Sequence, residues 1–334
     1  MVSWRIWLVV GGLGITALAT PAWSQATAPA PAAAASAAPP AAGSDAKTYV
    51  DYGMSNGAKG DLDGALAAFN QAISIDPKYA PAYYNRGFAF SLKAKPDDAI
   101  SNYDQAIQLD PTYKAAYYQR GSLKGQKGDF DAALADFGKV VELDPKYAPA
   151  YYNEGHVYYF KGDLTNAGDQ IDKALALDPN FSFSYFIRGL VRHAQGRREE
   201  ATADFQKSSG FNFPYAVYWT WITEMEAGQL PAAKKDLALS LGKPEMFHAD
   251  DWPSQIGNFL LGKITRDDLL AKAKTANAEE TRGRLCETWF YAGMYEMLSH
   301  GAPDKAKECF TQAVGTNSKG SEEYIEAARQ LSKM

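Results

Sequence analysis

Tyr83-Tyr84-Asn85-Arg86-Gly87, Tyr117-Tyr118-Gln119-Arg120-Gly121 and Tyr151-Tyr152-Asn153-Glu154-Gly155 are one motif written three times, 34 residues apart. Self-similarity at a fixed period of this length marks a repeat architecture and outranks any local pattern. The glycine column extends outward to Gly53 and Gly189, and the leading tyrosines to Tyr49 and Tyr185. Alanines at Ala65, Ala99, Ala133, Ala167 and Ala201 keep the same period, as do Asp-Pro pairs ending at Pro77, Pro111, Pro145 and Pro179. Gly60, Gly128, Gly162 and Gly196 supply a further turn signal in the same register.

Each column has a physical task. A glycine inside a helix costs about 1 kcal/mol relative to alanine, which is tolerable where a second helix must approach its backbone. The alanines serve that approach from the other side. Phe69, Tyr103, Phe137, Ile171 and Phe205 follow four residues after each alanine, with Ala72, Ala106 and Ala174 three further on. This is the i, i+4, i+7 stripe of a buried helix face. Gly-Asp turns at 60–61, 128–129 and 162–163 close one helix and cap the next. The unit is therefore a pair of antiparallel helices, and stacked pairs bury what one pair cannot.

The pattern resembles the tetratricopeptide repeat over about Lys47 to Pro214, giving five regular units in 47–214. The resemblance implies an all-α, right-handed superhelical solenoid of stacked antiparallel helix pairs. Over 215–334 the period loosens into irregular units of the same type. Tyr215–Leu241 reads as a helix pair turning at Gly228, and Trp252–Lys274 as a shortened pair with capping-box spacing at Thr265 and Asp268. Trp289–Val314 returns to type through Gly293, Ala306, Phe310 and Ala313. Ser321 caps a last helix with Glu322 and Glu323 in its first turn, a polar helix suited to covering a solenoid's open end. Trp252-Pro253, Phe259-Leu260-Leu261-Gly262-Lys263-Ile264 and Glu287-Thr288-Trp289-Phe290-Tyr291-Ala292-Gly293 resemble the closing repeats of bacterial envelope proteins of the new lipoprotein I type. That resemblance implies an adaptor for periplasmic enzymes such as peptidoglycan hydrolases and a processing protease. Members of that type are anchored through a lipidated cysteine; here no cysteine stands near residue 25.

The N-terminus carries a targeting pattern. Met1–Arg5 holds one positive charge, Ile6–Ala19 is almost wholly apolar, and Ala22-Trp23-Ser24 or Ser24-Gln25-Ala26 offers a cleavage site. A cleaved signal peptide over 1–24 is the expectation, with an uncleaved anchor as the alternative, since a membrane span needs about 20 apolar residues. An Ala/Pro-rich disordered linker is expected over 25–46. No other stretch is long and apolar enough to cross a bilayer, so the mature chain is expected in the periplasm or secreted. A net charge of −5 excludes the basic footprint of a nucleic-acid binder. Cys286 and Cys309 are the only cysteines and read as two unbridged, mostly buried thiols.

In tetratricopeptide arrays the first helices line a concave groove that holds ligands. Mapped onto this sequence, the groove comprises Tyr84, Phe88, Tyr118, Tyr152, His156, Tyr159, Phe186, Leu190, His193 and Tyr218. Aromatic side chains give large contact area at small entropic cost. The plainer reading is that Tyr84, Tyr118 and Tyr152 follow the repeat and pack. A second candidate, the aromatic-dense run from Phe181 to Trp221, reads chiefly as packing at the irregular junction. His156, His193, His248 and His300 lack ligand spacing, and no nucleophile elbow, phosphate loop or H-E-x-x-H occurs. The expectation is a non-enzymatic scaffold, without cofactor or metal, whose partners are a peptide segment or an envelope enzyme. The alternative is peptidoglycan or other glycan binding through groove aromatics.

Overall fold

The computed structural model describes residues 40, 41 and 43–334. The expected signal peptide, and the expected linker up to residue 39, lie outside the described residues. Among the described residues there are seventeen α-helices and no strand. Two compact units divide at Glu154/Gly155. The first holds α1 (Ala46–Ala58) with α2 (Leu62–Ile75), α3 (Ala80–Leu92) with α4 (Pro96–Leu109), and α5 (Lys114–Gln126) with α6 (Phe130–Leu143). It also holds the start of α7 (Ala148–Lys161). The second continues with α8 (Leu164–Leu177), α9 (Ser182–Ala194), α10 (Arg198–Ser209), α11 (Pro214–Glu226) and α12 (Leu230–Leu241). The remaining helices are α13 (Trp252–Leu260), α14 (Arg266–Ala273), α15 (Ala278–His300), α16 (Pro303–Gly315) and α17 (Glu322–Lys333).

The glycine column sits where the two helices of a pair meet. A Cβ added at Gly53 would lie 2.5 Å from the Phe69 ring, and one at Gly87 2.9 Å from the Tyr103 ring. At Gly155 the neighbour is Ile171 at 2.7 Å, and at Gly189 it is Phe205 at 2.5 Å. In the irregular region Gly293 meets Phe310 at 2.5 Å, which restores the same contact. Every partner in this set is buried. The small residue therefore sets the distance between paired helices, and the ring opposite fills the gap it leaves.

The turns follow equally local rules. Gly60, Gly128, Gly162 and Gly196 all take φ near +80°, closing the first helix of each pair. Ala94 stands at the same place in its repeat and is forced to φ +54° without glycine's freedom. Asp61, Asp129 and Asp163 cap the second helices by accepting from the backbone N–H three residues on. The tyrosine column fixes the turns between repeats: Tyr83, Tyr151 and Tyr185 donate their hydroxyls to the carbonyls of Pro77, Pro145 and Pro179 at 3.0–3.2 Å.

An arginine before the glycine ties successive helices together. Arg120 binds Asp136 in its own pair with two nitrogens, at 2.9 and 2.5 Å, and reaches back to Asp104 at 2.6 Å. Arg188 repeats this with Asp204 at 2.9 and 2.7 Å and Asp172 at 2.7 Å. Asp136 and Asp204 are almost completely buried, so these are enclosed, bidentate pairs.

Toward the C-terminal end, α14 opens on the expected capping box of Thr265 and Asp268. α15 begins at Ala278, well before Trp289, because Asn277 accepts from the N–H groups of Glu279 and Glu280 and starts the helix there. Its 23 residues pack against α16, and the two carry Cys286 and Cys309, both buried and unbridged. Burial pushes the Cys286 thiol up to about 12, which keeps it protonated and unreactive.

Candidate functional site

The ten expected groove residues are all buried. Four lie in the first unit. Tyr84 packs against the rings of Tyr103 and Tyr113, with centroids 5.8 and 5.0 Å away, and burial pushes its hydroxyl well above the ordinary range. Tyr118 meets Phe137 and Tyr147 edge-on and accepts a hydrogen bond from Asn153 Nδ2 at 2.9 Å. Phe88 and Tyr152 are 4% and 2% exposed. These side chains join the stacking between neighbouring helices and offer little open ring face.

The other six lie in the second unit, where they separate into distinct settings. Phe186 packs between Phe205 and Phe213, while Leu190 is fully enclosed. His193 on α9 hydrogen-bonds the Glu226 carboxylate of α11 at 3.0 Å, and Arg198 holds the same carboxylate at 3.0 Å. Charge and hydrogen bonds from His193 and Arg198 outweigh the desolvation of Glu226 and hold its carboxyl below the usual range. Tyr218 donates to the Pro253 carbonyl at 2.5 Å and meets Tyr291 edge-on.

His156 and Tyr159 differ from the rest because their partners come from the last helix. His156 Nε2 lies 3.0 Å from Glu322 Oε1, and the Tyr159 hydroxyl donates to Glu326 Oε1 at 2.5 Å. Arg329 lies over the Tyr159 ring, 5.1 Å from its centroid, and also pairs with Glu326. Helix α17 thus packs on α15 and α16 and also supplies polar groups to α7, more than 160 residues earlier in the chain. It does more than cover an end.

A second set of carboxylates surrounds the start of α17. The Glu287 carboxylate accepts from Trp252 Nε1 at 2.6 Å and from the Tyr215 hydroxyl at 3.1 Å. The Glu287 residue is half-buried as a whole, but its carboxyl end is enclosed, and desolvation raises it to about 7 against those two hydrogen bonds. Burial, with Glu287 and Glu322 nearby, pushes Glu323 well above the normal carboxylate range. Tyr291 donates to Glu323 at 3.4 Å. These acids escaped the sequence reading because Glu322 and Glu323 fit the N-terminal turn of a solvated helix equally well. The spacing of Glu323, Glu326, Ala327 and Gln330 at i, i+3, i+4 and i+7 was the one available signal, and it is polar.

Most of the aromatic-dense run packs inside the unit, while Phe211 stays exposed. Phe183 and Phe186 meet Phe213 at centroid distances of 5.2 and 4.9 Å, and Trp219 stacks toward Phe290 at 5.7 Å. Among the described residues, no group of three or more His, Cys, Asp or Glu side chains converges as a metal site. None of the described helices is long and apolar enough to cross a membrane.

Comparisons with known proteins agree with this geometry. A TPR repeat model matches residues 58–93 and 124–162, and tetratricopeptide repeat models match residues 80–113 and 148–181. The chain is 30% identical to MamA over 47% of its own length and 92% of that chain, with a TM-score of 0.45. It is 20% identical to PilW, described as a widely conserved type IV pilus biogenesis factor, covering 60% of this chain and 96% of that one at a TM-score of 0.53. PilF of Pseudomonas aeruginosa is 15% identical, covering 60% and 94%, also at 0.53. At these identities the two pilus proteins share the fold. No curated protein sequence matches the chain.

Proposed function

The chain belongs to the tetratricopeptide repeat family, and from that premise we propose that it is an exported, non-enzymatic adaptor of the bacterial periplasm. Stacked repeats create the extended inner faces on which such proteins bind partners. One observation supports the reading above others: His156 and Tyr159 of α7 already hold a helix, α17, through hydrogen bonds. A face that accepts a helix of its own chain has the shape and donors to accept a segment of another protein. The partner is a peptide segment or an envelope enzyme presenting one. The N-terminal pattern of a charged residue, an apolar run and small-residue cleavage sites supports export.

Two measurements test this. An alkaline phosphatase fused after residue 60 becomes active only outside the cytoplasm; an inactive fusion would refute export. A photo-crosslinking residue at Phe160, whose ring packs at a tilt against His156, should trap one envelope protein, while the same residue at exposed Leu239 should not. Equal labelling at both positions, or none, would refute binding at this face. Retention of the mature chain on protein-free sacculi would favour the glycan reading instead.

A further inference from the structure

Helix α17 buries the wrong kind of stripe for a permanent cap. Its most enclosed residues are Glu323, Glu326, Ala327 and Gln330, whereas Tyr324, Ile325, Ala328 and Leu331 are only half-buried. A helix whose sole task is to close a hydrophobic core turns its apolar side inward. Here the inward side carries acceptors, and the receiving helices carry donors: His156 and Tyr159 on α7, and Tyr291 on α15. Such bonds specify register and orientation, yet each adds little net stability because water replaces it on release. Desolvation of the buried Glu323 carboxyl, with Glu287 and Glu322 nearby, further opposes docking.

Taking the adaptor reading as its basis, we propose that α7 and α15 form a receptor for an acidic amphipathic helix, that α17 is its resident occupant, and that a partner protein binds by presenting a similar helix that displaces α17. The receptor specifies what that helix must carry. Carboxylates at i and i+4 meet His156 and Tyr159, as Glu322 and Glu326 do, and a small residue at i+5 fits where Ala327 is fully enclosed. A carboxylate at i+1 faces Tyr291, as Glu323 does. The occupant's own cation at i+7, Arg329, lies over the Tyr159 ring and satisfies the i+4 acid. A neutral or basic helix would not reproduce the carboxylate contacts that Glu322 and Glu326 make with the imidazole and the phenol.

The test uses the full chain with a protease site inserted between Lys319 and Gly320, so that α17 can be cut from the rest after folding. A fluorescein-labelled synthetic peptide of residues 321–334 is then added to cut and uncut protein and followed by fluorescence anisotropy. We expect saturable binding to the cut chain, at least ten-fold weaker binding to the uncut chain, and a loss of at least ten-fold when the peptide carries Glu322→Gln with Glu326→Gln. Equal binding to cut and uncut chains would overturn displacement, and undiminished binding of the neutral peptide would overturn the acid requirement. Because cutting could disturb the unit, hydrogen exchange on the unmodified chain gives an independent reading. Amides of α17 should exchange at least ten-fold faster than those of α15 and α16, and matching protection would overturn the proposal. If the peptide fails on the cut chain while an envelope protein still crosslinks at Phe160, the adaptor reading stands and the displacement fails. If the peptide binds but nothing crosslinks, the receptor stands and the adaptor reading fails.

Discussion

Replacing Gly189 by alanine adds a single methyl group and should destabilise the second unit more than any simple propensity argument allows. The new Cβ would lie 2.5, 2.7 and 2.9 Å from three carbons of the Phe205 ring. That ring is fully buried, with Phe186 and Trp219 at centroid distances of 5.8 and 5.6 Å, so it has no space to retreat into. Helix α9 must instead move off α10. Overpacking of this kind costs about 1–3 kcal/mol, and so severe a contact belongs near the upper end. Alanine returns about 1 kcal/mol of helix propensity, leaving a net loss of about 2 kcal/mol. Gly283 provides the control, because it lies inside α15 with nothing within 4 Å of an added Cβ. There the same substitution should gain up to about 1 kcal/mol. Gly121 falls between, its nearest contacts being 3.0–3.3 Å, and Gly121→Ala should be close to neutral. Urea unfolding followed by far-ultraviolet circular dichroism would rank the three, provided the slope stays constant. Gly189→Ala as stable as the parent, or Gly283→Ala less stable, would refute the assignment of these glycines to helix contacts.

Other outcomes follow from the same geometry. Ala94→Gly should raise stability by about 0.5–1 kcal/mol, since it relieves a left-handed alanine at the cost of a looser unfolded chain; a drop in the urea midpoint would contradict this. Asp204→Ala removes the enclosed partner of both Arg188 and Arg192 and should cost about 3 kcal/mol. Asp172→Ala removes an open partner and should cost well under about 1 kcal/mol, so equal losses would refute the distinction. The second unit should also weaken as pH rises. Glu287 and Glu323 bind their protons more tightly folded than unfolded, so the stability they contribute is complete below the ordinary value of 4.5 and is lost as pH climbs to about 7 and beyond. For Glu287 alone the loss is about 3 kcal/mol at ~1.4 kcal/mol per unit. Urea midpoints at about pH 5 and about pH 8 measure it. Glu287→Gln should flatten the slope, and a midpoint rising with pH would refute the account.

The fold was legible because its decisive contacts are local. Gly189 and Phe205 lie 16 residues apart in one repeat, as do Gly53 and Phe69, so the periodic columns already contain both halves of each contact. The Gly-Asp turns and the Thr265 capping box were readable for the same reason. Within the repeats, the arginine ladder was present but unread: Arg86, Arg120 and Arg188 each precede the column glycine, with Asn102, Asp136 and Asp204 standing 16 residues later. Glu154 interrupts that column and hides it. The candidate site was legible only in part. His156 and Tyr159 were read as groove residues, whereas the contacts they make run to Glu322 and Glu326, more than 160 residues away, and no periodicity links them.

His193 and His156 show how one chemical pair can serve two ends. His193 finds its carboxylate on Glu226, one repeat further along the stack, so its bond forms whenever neighbouring repeats fold together. The carboxylate that meets His156 belongs to Glu322, outside the repeat order, on a helix held through six connecting residues, Thr316–Ser321. Stacking alone cannot supply that acceptor. When α17 departs, its bonds to His156 and Tyr159 pass to water or, on the proposed displacement, to the carboxylates of an incoming helix. The small and aromatic columns therefore build the stack, and the discrimination among occupants proposed above would rest on the polar contacts of His156 and Tyr159 with α17, which the repeat order does not specify.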